Sequence, residues 1–321
     1  MSSNSVKTER KKPKTKKILI IIAIVLTVLF VGALIATPFM VMPMFLGQRL
    51  EQEQYISTDY GIDSERITLK TDDSLSIAAW RTRADSPKGT VILLSGIENP
   101  SVTAFFGYAK MLADNGWDSL LIEMRARSES EGDEIGLGMT EWLDVKAGVD
   151  FLIGDDESKD LPIVTMGTSM GAGTVIIAAG EIPEIDAVIS ISAFSSWSDM
   201  FVEYMSMGGI PKVISVLDKP FVNMYLGLHF GFDALRYSPF NGISKLGERP
   251  ILLMHSTEDS QVPYSQFEKL LAEANKNQID VTTFIREGDE HFICYEEYFY
   301  VPAQDLEFSK TILDFLNTNF P

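Results

Sequence analysis

A single cysteine, Cys294, excludes an intrachain disulfide, and three histidines scattered at positions 229, 255 and 291 leave no H-E-x-x-H or paired-cysteine spacing for a metal. No metal and no cofactor is expected. Cations are also scarce: 27 Lys and Arg stand against 45 Asp and Glu, a formal net charge of −18. A body that acidic repels phosphate backbones, so DNA and RNA are excluded as partners. Phosphate-binding glycine patterns are missing as well. No lysine follows the glycines of residues 161–180 as a P-loop needs, and Gly171-Ala172-Gly173 lacks the third glycine of a dinucleotide fingerprint. Hydrophobic residues are not lacking: at 45% they suffice for a packed core, which excludes disorder as the state of the main body.

The N-terminal region has little anionic charge. Seven Lys or Arg and one Glu fall within residues 1–17, and no charge then appears before Arg49. Residues 18–36 are rich in Ile, Val and Leu and long enough to span a bilayer. A cleavable signal would end in a small-residue site before a polar start, whereas Ala33 to Ala36 runs on into TPFMVMPMF. The reading is an uncleaved, single-pass anchor in the cell membrane. Its helix is expected to end at Pro38 and Pro43, with residues 37–46 in the interface. The cation asymmetry places the N-terminus in the cytoplasm and the acidic body outside. The expected domains are a basic tail at 1–17, an anchor with its interfacial segment at 18–46, a linker at 47–63 and a globular domain at 64–321.

Within that domain, residues 65–70 and 75–83 alternate like two antiparallel strands around a polar turn. Short, largely apolar runs follow at 90–94, 117–122, 162–166, 187–191, 251–254 and 281–285. Helical patterns fall at 102–115, 138–153, 264–275 and 297–317. Apolar strands alternating with helices predict a mostly parallel eight-stranded sheet with helices on both faces. The connection from 192 to 251 is some 50 residues longer than an ordinary strand-to-helix link. It is rich in Met and aromatics, and is expected to be a cap insertion over about 199–241 or else an ordinary buried helix. Met224 and Phe230 are its candidate substrate-binding residues.

The stretch LPIVTMGTSMGAGTVIIAAG supplies the chemistry. A β-branched run leads into G-x-S-x-G, and a small-residue helical run leads out, which places Ser169 on a strained strand-to-helix turn. Gly167 and Gly171 flank it because a Cβ would clash where the chains nearly touch. The helix directs its first amides, that of Met170 among them, at the site as oxyanion donors. A serine nucleophile needs a base and an acid to orient that base. His255 closes an apolar strand and His229 lies in the apolar insertion. His291 sits in the polar loop REGDEHF between the last strand and the last helix, where a base can reach the carboxyl edge of the sheet. In ILLMHSTEDSQVP, Asp259 and Glu258 are both candidate acids.

The order Ser169, Asp259, His291 around GTSMG resembles the α/β-hydrolase superfamily, and the loops are similar to single-domain acylaminoacyl-peptidase or prolyl-oligopeptidase-like members. HSTEDSQVP resembles the H-G-x-x-D-x-x-V-P segment, which implies Asp259 as the acid. GDEHF resembles the final histidine loop, LLSGIENP the oxyanion strand, and EMRARSESEG the D-x-R-G-x-G-x-S loop. The resemblance carries a second oxyanion donor onto the backbone amide of Ile97. Ser95 replaces its histidine, and Ala126 and Ser128 replace its glycines. Glu123 and Arg125 are expected to form a structural ion pair.

The reading is a membrane-anchored serine hydrolase that cleaves carboxylic esters, with amides and thioesters left open. The substrate is a small acyl ester or a peptide. The rival readings are a serine peptidase and a catalytically silent, membrane-tethered binding module on the same fold. A chain beginning near Glu51 is expected to fold in solution and hydrolyse short esters.

Overall fold

A computed structural model describes residues 14–46, 49–97 and 100–321, the side chains of residues 14 and 15 excepted. Most of the predicted basic tail lies outside the described residues, as do positions 47–48 of the linker and 98–99 of LLSGIENP.

The first helix, α1, runs Lys14–Val41 and passes through Pro38. The expected stop at that proline does not occur. Proline removes the one N–H that would reach the Leu34 carbonyl, yet the helix continues past it for three residues; one position earlier the Thr37 hydroxyl donates to the Ala33 carbonyl at 2.8 Å. The chain then tightens into the single turn Met42–Met44, with Pro43 inside it. Side chains from Lys16 to Ala33 are exposed, so α1 is not a core helix.

Eight strands form one sheet: β1 Glu65–Lys70, β2 Ser76–Thr82, β3 Thr90–Leu94, β4 Asp118–Ile122, β5 Ile163–Thr168, β6 Ala187–Ile191, β7 Ile251–Ser256 and β8 Val281–Arg286. Their order is β1-β2-β4-β3-β5-β6-β7-β8. The first two pairings are antiparallel and every later one is parallel, as the apolar runs predict. Alternation along β3 shows why both faces need cover. Ile92 and Leu94 join one core layer, and Val91 and Leu93 join the other.

Helices α2 (Phe106–Ala113) and α10 (Leu306–Asn319) cover the second face; α3 (Trp142–Gly154), α4 (Met170–Glu181) and α9 (Ser265–Lys276) cover the first. Three helix starts come later than the sequence pattern suggests. Residues Val102–Phe105 form a tighter 3-10 turn, so α2 opens only at Phe106. The Glu141 carboxylate accepts the amides of Gly136 (2.6 Å) and Gly138 (2.7 Å), folding residues 136–141 into a turn instead of the first turn of α3. Pro302 interrupts the last pattern, and α10 begins only after Asp305, whose carboxylate caps Phe308 N–H at 3.1 Å and pairs with Arg286.

The long β6–β7 connection carries α5 (Trp197–Met207), α6 (Lys212–Ser215), α7 (Lys219–Phe230) and α8 (Pro239–Ile243). Met200, Phe201 and Val202 of α5 and Val222 and Leu226 of α7 are buried, so this segment is packed onto the domain. Leu34 and Pro38 of α1 and Met42 of the following turn, four residues apart, are buried, and α1 packs against α7 and the turn before it.

Candidate active site

The parallel strands bring the expected site residues to one edge. Ser169 follows β5, the central strand; Ile97 lies in the loop after β3; Asp259 follows β7; His291 follows β8. Ser169 has φ 54° and ψ −118°, a left-handed backbone that an L-residue adopts at a cost of about 1–3 kcal/mol. The turn is over-determined by what surrounds it. Ser169 N–H donates to Ile191 O at 2.8 Å. A Cβ on Gly167 would lie 2.3 Å from the Gly171 carbonyl oxygen, and one on Gly171 would lie 2.4 Å from Ser95 O. Both contacts are with backbone, which cannot swing aside, so the sequence pattern and the geometry have the same cause.

His291 and Asp259 are both buried and form a close pair. His291 Nδ1 lies 2.8 Å from Asp259 Oδ2 and 3.1 Å from Oδ1. Asp259 Oδ1 also accepts the amides of Gln261 (2.9 Å) and Val262 (2.8 Å), which fixes the carboxylate plane. Burial alone pushes the Asp259 carboxyl up, but the His291 hydrogen bond and charge and the Val262 amide outweigh it and hold the group below its usual value. Asp259 is therefore ionised, and it binds Nδ1–H of the imidazole. That leaves Nε2 as the free basic nitrogen. Glu258 is exposed, its amide tied to Gly288 O.

The other two histidines do not line the cavity with Ser169, although His255 Nε2 comes within 3.7 Å of Asp259 Oδ2. His255 Nε2 bonds Val262 O at 2.8 Å, and burial lowers its pKa, so it is a neutral prop under the Asp259 loop. His229 is exposed on α7 and meets Glu134 at 2.8 Å. Among the described residues no three His, Cys, Asp or Glu side chains gather as metal ligands.

Ser169 and His291 line one cavity of about 740 Å³, together with Gly96, Ile97, Ile135, Gln261 and Phe292. Met224 and Phe230 do not line it, and this corrects the assignment of substrate contacts to them. They lie on α7, which packs against α1 and α5. The cavity wall is instead supplied by Trp197 and Tyr204 of α5 and by Pro43, Met44, Phe45 and Leu50, at and beyond the end of α1. Phe45 stacks on Tyr204 with ring centroids 5.4 Å apart.

The loop 123–128 behaves differently from the expected Glu123–Arg125 pair. Arg125 binds Asp144 (2.7 Å) and Asp73 (2.6 Å), whereas Glu123 accepts Ser101 Oγ (2.8 Å) and Gln54 Nε2 (3.2 Å). Ala126 and Ser128 both keep positive φ, 59° and 35°, so the backbone retains the glycine-like path without glycine. Between them Arg127, fully buried, donates to Gly96 O and to Ser95 Oγ and so braces the segment that presents Ile97. Nothing in the charge pattern singles out Arg127 in advance.

Comparison with known proteins agrees with this architecture. Residues 136–321 match the prolyl oligopeptidase family, and residues 49–219 match the X-Pro dipeptidyl-peptidase (S15) family. YqkD of Bacillus subtilis, an uncharacterized protein, is 26% identical over 235 residues, 73% of this chain and 72% of the relative. YfhR of Salmonella typhi, also uncharacterized, is 24% identical over 243 residues, 71% of this chain and 74% of the relative. Among solved structures, a Pyrococcus furiosus esterase, Pf2001, aligns with TM-score 0.65 at 20% identity, over 86% of this chain and all of that one. Pyrococcus horikoshii acylaminoacyl peptidase aligns with TM-score 0.60 at 15% identity, over 81% of this chain and 42% of that one. The family match spans more than half the sequence and includes the serine turn and the loops of Asp259 and His291: the chain belongs to the prolyl oligopeptidase family and is a serine hydrolase of the α/β-hydrolase fold.

Proposed function

We propose that the protein is a membrane-anchored esterase that works through an acyl-enzyme. Ser169 Oγ attacks the ester carbonyl as His291 Nε2 takes its proton, and Asp259 holds the imidazole tautomer and its developing charge. The amides of Ile97 and Met170 receive the oxyanion. His291 then protonates the departing alcohol, and water, activated by the same nitrogen, releases the acid and frees Ser169. The observation that carries this reading is the buried His291–Asp259 pair opening onto the same cavity as a serine held at positive φ.

An ester is favoured over a free peptide by the cavity wall. Met44, Phe45, Trp197, Tyr204 and Phe292 offer apolar surface for an acyl chain, and the carboxylates of Asp289, Glu290 and Glu296 line an adjoining cavity that shares His291 and Phe292. The second reading, a peptidase acting on blocked peptides, is supported by the family match and by the acylaminoacyl peptidase likeness. The test is a fluorophosphonate probe followed by paired kinetics. The probe is expected to label the wild type and not Ser169→Ala, and kcat/KM for a short nitrophenyl ester should exceed that for an acyl-amino-acid anilide by at least tenfold. An unlabelled native protein points to a silent binding module; a faster anilide points to a peptidase.

The anchor is α1, the one helix among the described residues long and apolar enough to cross a membrane. With the N-terminal cations held inside, the domain lies outside the cell. Protease added to intact cells should then digest the domain; full protection until lysis would invert the orientation.

A further inference from the structure

We propose that the cavity at Ser169 is fed from the bilayer: the exit segment of the anchor is a wall of the site, the β6–β7 insertion rests on the outer leaflet, and the substrate is an acyl ester resident in the membrane. This rests on the esterase reading above and adds the substrate class and its route.

The apolar stretch of α1 is longer than a crossing requires. About 20 residues complete the hydrocarbon core, so a span beginning at Ile18 reaches its outer boundary near Thr37. The turns of α1 on either side of that boundary are the ones that touch the domain: Leu34 and Pro38 are buried, and Phe39 meets Tyr225 of α7 edge-on with ring centroids 5.1 Å apart. The elements packed on α1 there are α7 and the turn Val216–Asp218. They are thus held at the membrane surface by the anchor itself.

Exposed side chains around this junction suit that position. In the turn itself Val216 is 44% and Leu217 48% exposed; Met40 of α1 is 74% exposed, and Val213 of α6, which packs on the same turn, 77%, an apolar collection that is costly in water and favourable in an interface. Met44 links this surface to the chemistry: it is 82% exposed and also lines the cavity with Ser169. The mouth therefore lies beside lipid, and an acyl chain can enter along Met44 and Phe45 without leaving an apolar environment. The reaction is unchanged: the ester C–O bond breaks, the alcohol leaves with the proton from His291, and water releases the fatty acid from Ser169.

The test uses the full chain in phosphatidylcholine vesicles with two substrates, a short water-soluble nitrophenyl ester and a long-chain fluorogenic ester dissolved in the bilayer. Val213→Glu combined with Leu217→Glu places charge on the proposed lipid contact, outside the cavity. Fluorophosphonate labelling and short-ester turnover should match the wild type, whereas turnover of the bilayer-embedded ester should fall about tenfold or more. Unchanged turnover of the embedded ester overturns the proposal, and so does an equal loss on both substrates, which would mean that these side chains support the fold and not delivery. A wild type that neither labels nor turns over either ester defeats the esterase reading itself, and this one with it.

Discussion

Asp259 and Glu258 are chain neighbours, and burial separates their roles. Asp259 is buried, holds His291 Nδ1 at 2.8 Å and takes two amides on its other oxygen; Glu258 points to solvent. Asparagine at 259 keeps an acceptor for the amides but presents an NH₂ or a neutral oxygen to the imidazole, which disturbs the tautomer. Asp259→Asn should therefore lower kcat by about 10⁴, with little change in melting temperature, while Glu258→Gln stays within about twofold. Steady-state kinetics on a short ester decides between them, and the opposite ranking would transfer the acid role to Glu258. At this scale the sequence was legible wherever chemistry restricts residue type. Only glycine fits at 167 and 171 because the contacts there are backbone atoms at 2.3 and 2.4 Å. Arg127 was not legible. A buried arginine bracing Gly96 looks, on paper, like any cation in a charged loop.

The elements of the β6–β7 insertion are held by charge as well as by apolar contact. Asp199 on α5 receives Lys219 from α7 and Lys269 from α9, the latter at 2.9 Å. Burial alone would raise its carboxyl, but the two lysines bring it down from 3.8 to about 2. Because the folded-state pKa lies below the unfolded one, the stabilisation is complete above about pH 4. It is lost as pH falls toward 2. Asp199→Asn should cost on the order of 1 kcal/mol at neutral pH, and the gap to the wild type should close as the pH approaches 2. Urea unfolding at several pH values measures this; a gap that persists at pH 2 would show that the lysine contacts contribute nothing. Strands β3 to β7 were legible as elements because each is a short, largely apolar run, and β8, at the sheet edge, by its β-branched VTTFI; the partners of α7 were not. An uncharged, aromatic-rich stretch says that something covers it and is silent on what, so the sequence offers Met224 and Phe230 as cavity residues, whereas α7 packs on α1 and α5.

For the whole molecule the consequence concerns where the domain begins. The strands start at Glu65, so the sequence alone suggests that a chain beginning near Glu51 carries everything the site needs. The packing changes that expectation. Met42 is 1% and Leu46 6% exposed, both within the core layer that contains Val222 and Phe201, and Phe45 covers Tyr204 in the cavity wall. Arg49 donates to Ser130 O at 2.7 Å and to Ser128 O, so the exit segment is bonded to the loop that carries Arg127. Removing residues 1–50 takes away two buried side chains, Met42 and Leu46, worth about 2 kcal/mol each, and in a domain of this size each kcal/mol lowers the melting temperature by about 2–4 °C. A chain starting at Glu51 should thus melt roughly 10 °C lower than one starting at Pro38, which keeps the exit segment and loses the span. The two should differ in function in the same direction. The shorter chain should show a raised KM for esters with longer acyl groups because one wall of the cavity is missing, while kcat for the shortest esters falls less, since Ser169, Asp259 and His291 stand on β5, β7 and β8. Calorimetry and a series of esters of increasing chain length on the two truncated proteins measure both effects. Equal melting temperatures and equal KM values would mean that residues 38–50 only tether the domain and that the cavity closes without them.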